Sequence, residues 1–282
     1  MDRLDTIARH NRFQDSMVYS FESHLREIVL RAQGRVIARL EAQLTITDGV
    51  IESTPANMLA LRNAGKLFMQ ELDRAGYQRL ASAFVGEFRG TLPFLQETLE
   101  TLGTQIGQNW GRQLGFTARD FNLLGAVQAN TVASLADAIQ ATAGSAITRG
   151  LFGVGGLRFR SLVDTLSTRL EMSIGRATTI ADTSMSVWYA TASERAFQLI
   201  TRDLPEQELR YRYTGPVDKL ERPFCRHLTD ADRSYTRAQI DRMNNGQFPA
   251  GSVFITRGGF RCRHQWDLST QAMVLEKPEA AA

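Results

Sequence analysis

The sequence has few of the residues that carry redox or metal chemistry, and it has no long hydrophobic run. It contains two cysteines, four histidines and seven prolines. No stretch of about 18 consecutive apolar residues occurs, which argues against a transmembrane helix and a membrane partner. The first residues, Met1–Asp5, are charged and lead into no apolar segment, so no secretory signal is expected. We therefore expect the chain to fold in a reducing compartment.

Charge is distributed unevenly along the chain. Hydrophobic residues make up 43% and charged residues 22% of the chain, a profile typical of a soluble globular protein. Between Arg210 and Asp267 there are 11 Lys and Arg against 6 Asp and Glu, whereas the rest of the chain has 22 against 24. This local surplus indicates an acidic partner, protein or nucleic acid, or simply a solvated arginine-rich face. It is far below the charge of a protein that binds nucleic acid through charge alone.

Apolar residues at helical spacing dominate residues 1–205. From Leu4 to Leu44 they predict one amphipathic helix of about 60 Å, whose apolar stripe includes Phe21 and Ile28. We expect such stripes to supply contacts in an assembly. No segment of residues 1–145 alternates with period two, so that region is predicted to be all-helical. The further helices are predicted at 55–75, 77–88, 91–106, 117–144, 159–174 and 177–200.

A glycine-rich segment, Ile147–Leu157, interrupts this pattern. It has no P-loop order of residues and no predicted strand precedes it, so a nucleotide site is not indicated. It is interpreted as a flexible hairpin between helices or as an apolar tip that docks into a partner.

Residues 206–270 have a different character and predict a small α+β module. Strands are predicted at Tyr211–Tyr213, at Ser252–Ile255 and near Phe260–Trp266, with a short helix from Thr236 to Met243. Residues 271–282 are predicted to be a flexible tail. The fold class is therefore mainly α, with a long helical N-terminal region (1–205) and a small α+β C-terminal module.

Both cysteines lie in this module, and each begins the same tripeptide, Cys225-Arg226-His227 and Cys262-Arg263-His264. In an extended strand, residues i and i+2 point to the same side. The four side chains of Cys225, His227, Cys262 and His264 are therefore predicted to converge on one centre. The aromatic residues expected to pack around this centre are Phe224, Phe254, Phe260 and Trp266.

Four chemical interpretations of the two triplets stay open. Two thiolates and two imidazoles form a suitable tetrahedral zinc site, although structural zinc sites usually have Cys-x₂₋₄-Cys spacing. A disulfide between Cys225 and Cys262 would close a loop of about 37 residues and add ~4 kcal/mol on the chain-entropy model. The cysteines can also pack side by side as buried thiols. A cysteine-dependent enzyme is the least favoured, because a duplicated Cys-His pair has no evident catalytic purpose; no catalytic residues are assigned and the protein is not expected to be an enzyme.

The motif as a whole resembles a known family. It consists, in order, of Tyr213-Thr214-Gly215-Pro216, Asp218, Arg222-Pro223-Phe224-Cys225, Gly258-Gly259-Phe260, Cys262-Arg263-His264 and Trp266. This pattern of about 55 residues resembles the C-terminal module of phage head morphogenesis proteins, the minor head proteins related to the F protein of phage Mu. The segment Thr179–Thr183, expected to enter a helix just before the module, is similar to that family as well.

The resemblance implies a minor structural protein of a bacteriophage head, one part of a multi-subunit virion. Its implied partners are the portal protein and the major capsid protein, and packaged DNA is a further candidate. Its implied location is the head or head-neck region of the virion, after assembly in the host cytoplasm. The alternative function is that of a zinc-binding module that interacts with nucleic acid.

Overall fold

The computed structural model begins with one unbroken helix, as the apolar spacing predicts. Helix α1 spans Arg3–Gln43, 41 residues. The structure describes residues 3–113, 115–151, 158–202, 209–247 and 252–270, without the side chains of 112–113 and 142–151. The predicted tail at 271–282, the predicted end of the helical region near Leu204 and most of the glycine-rich segment lie outside the described residues.

Local capping signals determine where the next helices begin. The Thr54 side chain accepts a hydrogen bond from the Asn57 backbone N–H, with Pro55 in the first helical turn. The Asp120 carboxylate accepts hydrogen bonds from the backbone N–H and the hydroxyl of Thr117, at 2.7 Å each. The helical segments of this region are α2 Pro55–Arg74, α3 Tyr77–Gly86, a 3₁₀ helix Glu87–Thr91, α4 Leu92–Gln105, α5 Trp110–Gln113, α6 Ala118–Leu151 and α7 Phe159–Ile200.

Two helix boundaries were predicted wrongly. Helix α6 continues to Leu151 instead of ending near Gly144. The two helices predicted on either side of Gly175 form the single helix α7, 42 residues long. Buried Ile174 and Ala177 flank Gly175 and continue the apolar stripe through it, so one glycine does not end the helix. The segment Thr179–Thr183 consequently lies inside α7 and does not enter a new helix.

A short hairpin interrupts the region predicted to be all-helical. Strands β1 (Ile46–Thr47) and β2 (Val50–Ile51) pair antiparallel around Asp48 and Gly49. Both turn residues have positive φ, 50° and 76°. Asp-Gly favours this two-residue turn, because both central positions need left-handed backbone.

The C-terminal module is a three-stranded antiparallel sheet with short helices, which confirms the predicted fold class. The strand order is β4 (Ser234–Thr236), β3 (Arg210–Thr214), β5 (Gln265–Leu268), and Tyr213 pairs with Trp266. The helices are α8 Pro223–Asp230, α9 Arg237–Asp241 and α10 Val253–Thr256.

Three local predictions in this module were wrong. Cys225 lies in α8 and not in a strand, because Pro223 occupies the first turn of a helix. Ser252–Ile255 is not a strand, because the Ser252 hydroxyl accepts from Phe254 N–H and caps α10. Strand β5 begins only at Gln265, so Cys262 and His264 lie in the connection before it.

The chain forms two compact units, and each unit combines separate stretches of sequence. The first contains Met1–Ser16, Glu87–Ala129 and Asp182–Ala282; the second contains Met17–Gly86 and Asn130–Ala181. The C-terminal module predicted at 206–270 and parts of the helical region thus belong to one unit.

The apolar stripe of α1 is buried by other residues of the same chain. In the second unit Phe21 packs on Phe84 with ring centroids 4.6 Å apart, and Ile28 is buried. Neither side chain is available to an assembly partner. None of the helices in the described parts of the chain has the length and apolar composition needed to cross a membrane.

Candidate functional site

A buried cluster of sulfur, ring and carboxylate groups forms the chemically distinctive part of the first unit. We call it the thiol cluster, and its members are Tyr213, Glu221, Cys225, Cys262 and His264. The two cysteines are free and buried, with their sulfur atoms 3.9 Å apart. The Tyr213 hydroxyl contacts both, at 3.5 Å from Cys225 Sγ and 3.3 Å from Cys262 Sγ.

Three structural elements bring these atoms together. Strand β3 alternates half-buried and buried residues, and this alternation directs Tyr213 inward. The first turn of α8 supplies Cys225. The connection between α10 and β5 supplies Cys262 and His264. The predicted proximity of the two cysteines is therefore found, although neither lies in a strand.

The turn after α10 fits closely over the sulfur atoms. Gly258 N–H donates a hydrogen bond to Cys262 Sγ at 3.2 Å. A β-carbon on Gly258 would lie 2.2 Å from Cys225 Sγ and 2.9 Å from Cys262 Sγ, so only glycine fits. Arg222, at the start of α8, donates to the Gly258 and Phe260 carbonyls and fastens the turn to that helix.

His264 is held by stacking on Tyr213, by the close approach of Gly215 and by a contact at one ring nitrogen. Its ring stacks on Tyr213 with a 4° angle between the planes and 5.2 Å between centroids. A β-carbon on Gly215 would lie 2.4 Å from the His264 ring, which explains the glycine in the Thr214-Gly215-Pro216 turn. Nε2 of His264 lies 3.2 Å from Glu221 Oε1.

Glu221 is a fully buried carboxylate. Its side chain has no exposed surface, and Oε1 also accepts a hydrogen bond from Thr229 at 2.7 Å. Oε2 has no hydrogen-bond partner among the described residues, and its ion-pair contact is Arg226 Nε at 3.7 Å. A buried carboxylate is costly without partners, so its position beside His264 marks a constrained site.

A buried arginine lies on the other side of the cluster. Arg257 is 4% exposed and donates from one guanidinium nitrogen to the His264 carbonyl at 3.0 Å. Its φ of 51° is unusual for a non-glycine residue. The Asn245 amide holds the strained position by donating to the Arg257 carbonyl at 2.9 Å.

The electrostatics of the two thiols are linked. The pKa of Cys262 is lowered, first because Cys225 donates a hydrogen bond to its sulfur, while the pKa of Cys225 is raised by the same contact. Burial raises the pKa of Tyr213. The two thiols are thus electrostatically coupled, with opposite shifts of their pKa values.

An ion pair closes the outer edge of the cluster. Arg263 holds Asp218 through two hydrogen bonds of 2.7 Å. These bonds lower the pKa of Asp218 to about 2. The arginine of the second triplet thus pairs with Asp218, whereas the exposed Arg226 of the first triplet approaches Glu221 at 3.7 Å.

Three of the four predicted ligands meet, and the fourth does not. Cys225, Cys262 and His264 each offer a donor atom within 4.8 Å of the other two. His227 is exposed on α8, because the helix turns residue i+2 away from residue i. Of the aromatic residues predicted to surround the site, Phe260 is 40% exposed, while Phe254 and Trp266 are buried.

Tyr213, Glu221 and Arg257 were not predicted from the sequence as members of the site. The alternation Tyr211-Arg212-Tyr213 is typical of a strand and could have indicated that the Tyr213 side chain points inward. No comparable sequence signal identifies Glu221 or Arg257, because a buried charge becomes evident only from its surroundings.

Beside the cluster, a cleft of about 320 Å³ is lined by Cys262 and by charged residues of both signs. Asp182 lies in it and accepts hydrogen bonds from Gln14 at 2.5 Å and from Arg261 at 3.2 Å. These bonds tie the start of α1 and the middle of α7 to the Cys262 turn.

The cluster can bind a thiophilic metal or be oxidised to a disulfide. Cys262, His264 and Glu221 also follow the order nucleophile, base and orienting carboxylate that cysteine-dependent catalysis uses. Cys262 is however 6% exposed, with Tyr213 and Gly258 against its sulfur.

Comparisons of the chain with protein-family models, with curated proteins and with solved structures gave no match.

Proposed function

We propose that the chain is a minor structural protein of a bacteriophage head, which associates with the portal and major capsid proteins and supports head assembly and DNA packaging or delivery. The carrying observation is the motif from Tyr213 to Trp266, whose separated parts contact one another. A structural component needs residues that pack against one another rather than an exposed catalytic site. The motif residues pack in this way, which supports the proposal.

Several residues of the motif contact one another or the segments between them. Tyr213 contacts both cysteines, Arg222 binds the Gly258 carbonyl at 2.8 Å, and Asp218 pairs with Arg263. The Trp266 indole N–H donates to the Val253 carbonyl at 3.1 Å. These contacts support a motif that specifies one folded unit.

Exposed apolar side chains are the positions where a partner contact can be altered without unfolding the chain. On α1, Tyr19 is 76% and Leu30 is 53% exposed. Eleven residues separate them, about three helical turns, so both lie on the same side of the helix about 16 Å apart. Carboxylates at these two positions would disturb a partner that lies along this side of α1.

The experiment measures how much of the chain is incorporated into phage heads that assemble in its presence. Tyr19→Asp combined with Leu30→Asp should reduce co-sedimentation with purified heads at least tenfold while leaving the circular dichroism spectrum unchanged. The matched control is Ser20→Asp with Arg31→Asp, which adds carboxylates at adjacent exposed positions and should incorporate normally. Absence of the unaltered chain from purified heads would contradict the proposed function.

A further inference from the structure

The thiol cluster has the donor set of a metal site. Two cysteine sulfurs and one ring nitrogen of His264 lie within 4.8 Å of one another, and all three residues are buried. Sulfur and imidazole are the ligands that Zn²⁺ prefers in structural sites. The three donors come from two elements, Cys225 from α8 and the other two from the connection before β5, so a bound ion would cross-link them.

We propose that Cys225, Cys262 and His264 bind a single Zn²⁺ ion, with the Tyr213 hydroxyl at the fourth position. In tetrahedral zinc, Zn–S bonds of about 2.3 Å place two sulfurs about 3.8 Å apart. The separation here is 3.9 Å. The two cysteines therefore need almost no movement to bind the ion.

The position of Tyr213 fits the same tetrahedron. An oxygen ligand at about 2.0 Å from zinc lies about 3.5 Å from each sulfur. The Tyr213 hydroxyl lies 3.5 Å from one sulfur and 3.3 Å from the other. It is thus placed at a vertex that faces both thiolates.

A carboxylate behind the histidine is an independent indication of metal binding. Histidine ligands commonly donate their second ring N–H to a carboxylate, which fixes the tautomer and orients the ring. Glu221 Oε1 is 3.2 Å from His264 Nε2, and the Glu221 side chain is completely buried. This contact leaves Nδ1 as the nitrogen for the metal.

The charges around the cluster also balance once an ion is present. Two thiolates neutralise Zn²⁺, and the Glu221 carboxylate and the Arg257 guanidinium are buried charges of opposite sign beside the cluster. Gly258 N–H donates to Cys262 Sγ at 3.2 Å, a bond that stabilises sulfur as a thiolate. The small module has only short strands and helices, and a metal cross-link of this kind adds directly to its folding energy.

The test is metal content of the purified full-length chain, measured by inductively coupled plasma mass spectrometry after incubation with Zn²⁺ and gel filtration. We expect about one zinc per chain, and a tetrahedral thiolate spectrum when Co²⁺ replaces it. Cys225→Ser, Cys262→Ser and His264→Gln should each lose zinc at least tenfold. Glu221→Gln should weaken binding about 10–100-fold, the usual effect of removing such a partner.

His227→Gln is the matched control. It removes the histidine of the first triplet, which is exposed on α8, and should retain full zinc content. Tyr213→Phe should weaken zinc binding, because it removes the fourth ligand. The Co²⁺ spectrum of the unaltered chain tests the site without relying on variants that fold poorly. A chain that takes up neither metal while both thiols titrate as free, or that isolates with a Cys225–Cys262 disulfide under air, would overturn the proposal.

Discussion

A β-carbon on Gly258 would lie 2.2 Å from the sulfur of Cys225. The glycine is therefore required by close approach and not by backbone conformation, which distinguishes it from neighbouring Gly259 with φ of 96°. The turn after α10 and the first turn of α8 are in contact at this point.

Replacing Gly258 with alanine should destabilise the first unit. The added methyl group must displace either sulfur atom, and overpacking of this kind costs about 1–3 kcal/mol. The measurement is urea-induced unfolding. Gly125→Ala, in α6, is the control, because no atom of the described residues lies within 4 Å of its added β-carbon; it should be neutral or stabilising by up to about 1 kcal/mol. Equal midpoints for the two variants would refute the close-approach argument.

Trp266 should be the most costly aromatic side chain to remove from the module. It packs on Tyr213 with centroids 4.6 Å apart, stacks near Phe254, and is 3% exposed. Trp266→Ala should cost about 3–5 kcal/mol. Phe260→Ala, at a position 40% exposed, should cost much less. If Phe260→Ala lowers the melting temperature more than Trp266→Ala does, Trp266 is not the main packing residue of the module.

In the second unit, Glu71 is a buried carboxylate shared by three arginines. Arg74, Arg39 and Arg35 approach it at 2.6, 3.2 and 3.6 Å, and each of them is about half exposed whereas Glu71 is 2% exposed. Arg74→Ala alone should cost less than about 1 kcal/mol, because two partners remain. Removing all three should cost about 3–5 kcal/mol, because the buried charge is then unpaired.

The control for that variant is Glu71→Gln in the triple background. A neutral amide needs no cationic partner, so it should recover part of the lost stability in urea unfolding. If the triple variant loses no more stability than the removal of one exposed ion pair would cost, these three arginines do not stabilise the Glu71 carboxylate.

The sequence predicted the long helices well because their signals are local. The apolar spacing from Leu4 to Leu44 and the Thr54 cap each need only neighbouring residues to be effective, and α1 and α2 begin within a residue or two of the predicted positions. Local signals were misleading at Gly175, where a single glycine indicated the end of a helix. The packing of the helical residues on both sides outweighed the low helix propensity of that glycine.

The candidate site was predictable only in part. The repeated Cys-Arg-His tripeptide indicated that Cys225 and Cys262 meet, and their sulfurs are 3.9 Å apart. The assumption of strands failed, because Pro223 favours a helix start that turns His227 to solvent. Glu221 contacts His264, which lies 43 positions away in the sequence. No local sequence pattern indicates that contact.

His10 should make stability depend on pH. It is fully buried against Tyr189, with ring centroids 3.9 Å apart, and its Nε2 has no partner among the described residues. Burial, with a smaller contribution from Arg257, lowers the pKa of His10 from 6.5 to about 3. The unfolded chain therefore binds a proton that the folded chain excludes. Stability is fully present above pH 6.5 and should fall by roughly 2–3 kcal/mol by pH 4.5.

His10→Phe should remove that part of the pH dependence, since a phenyl ring keeps the stacking and does not titrate. Unfolding free energies at pH 7.5 and pH 4.5 provide the comparison. The control is His24→Phe, at an exposed position of the same helix, which leaves His10 in place and should retain the loss at low pH. An equal loss in the His10→Phe chain would mean that other groups cause it.

The most direct test of the proposed role is the location of the chain in an assembled particle. Electron cryo-microscopy of purified phage heads, reconstructed without imposed symmetry at the portal vertex, would reveal density for α1 and α7 beside the portal protein. We expect the helices of this chain to fit such density inside the head. Heads that contain no such density, and no peptide of this chain by mass spectrometry, would contradict the account.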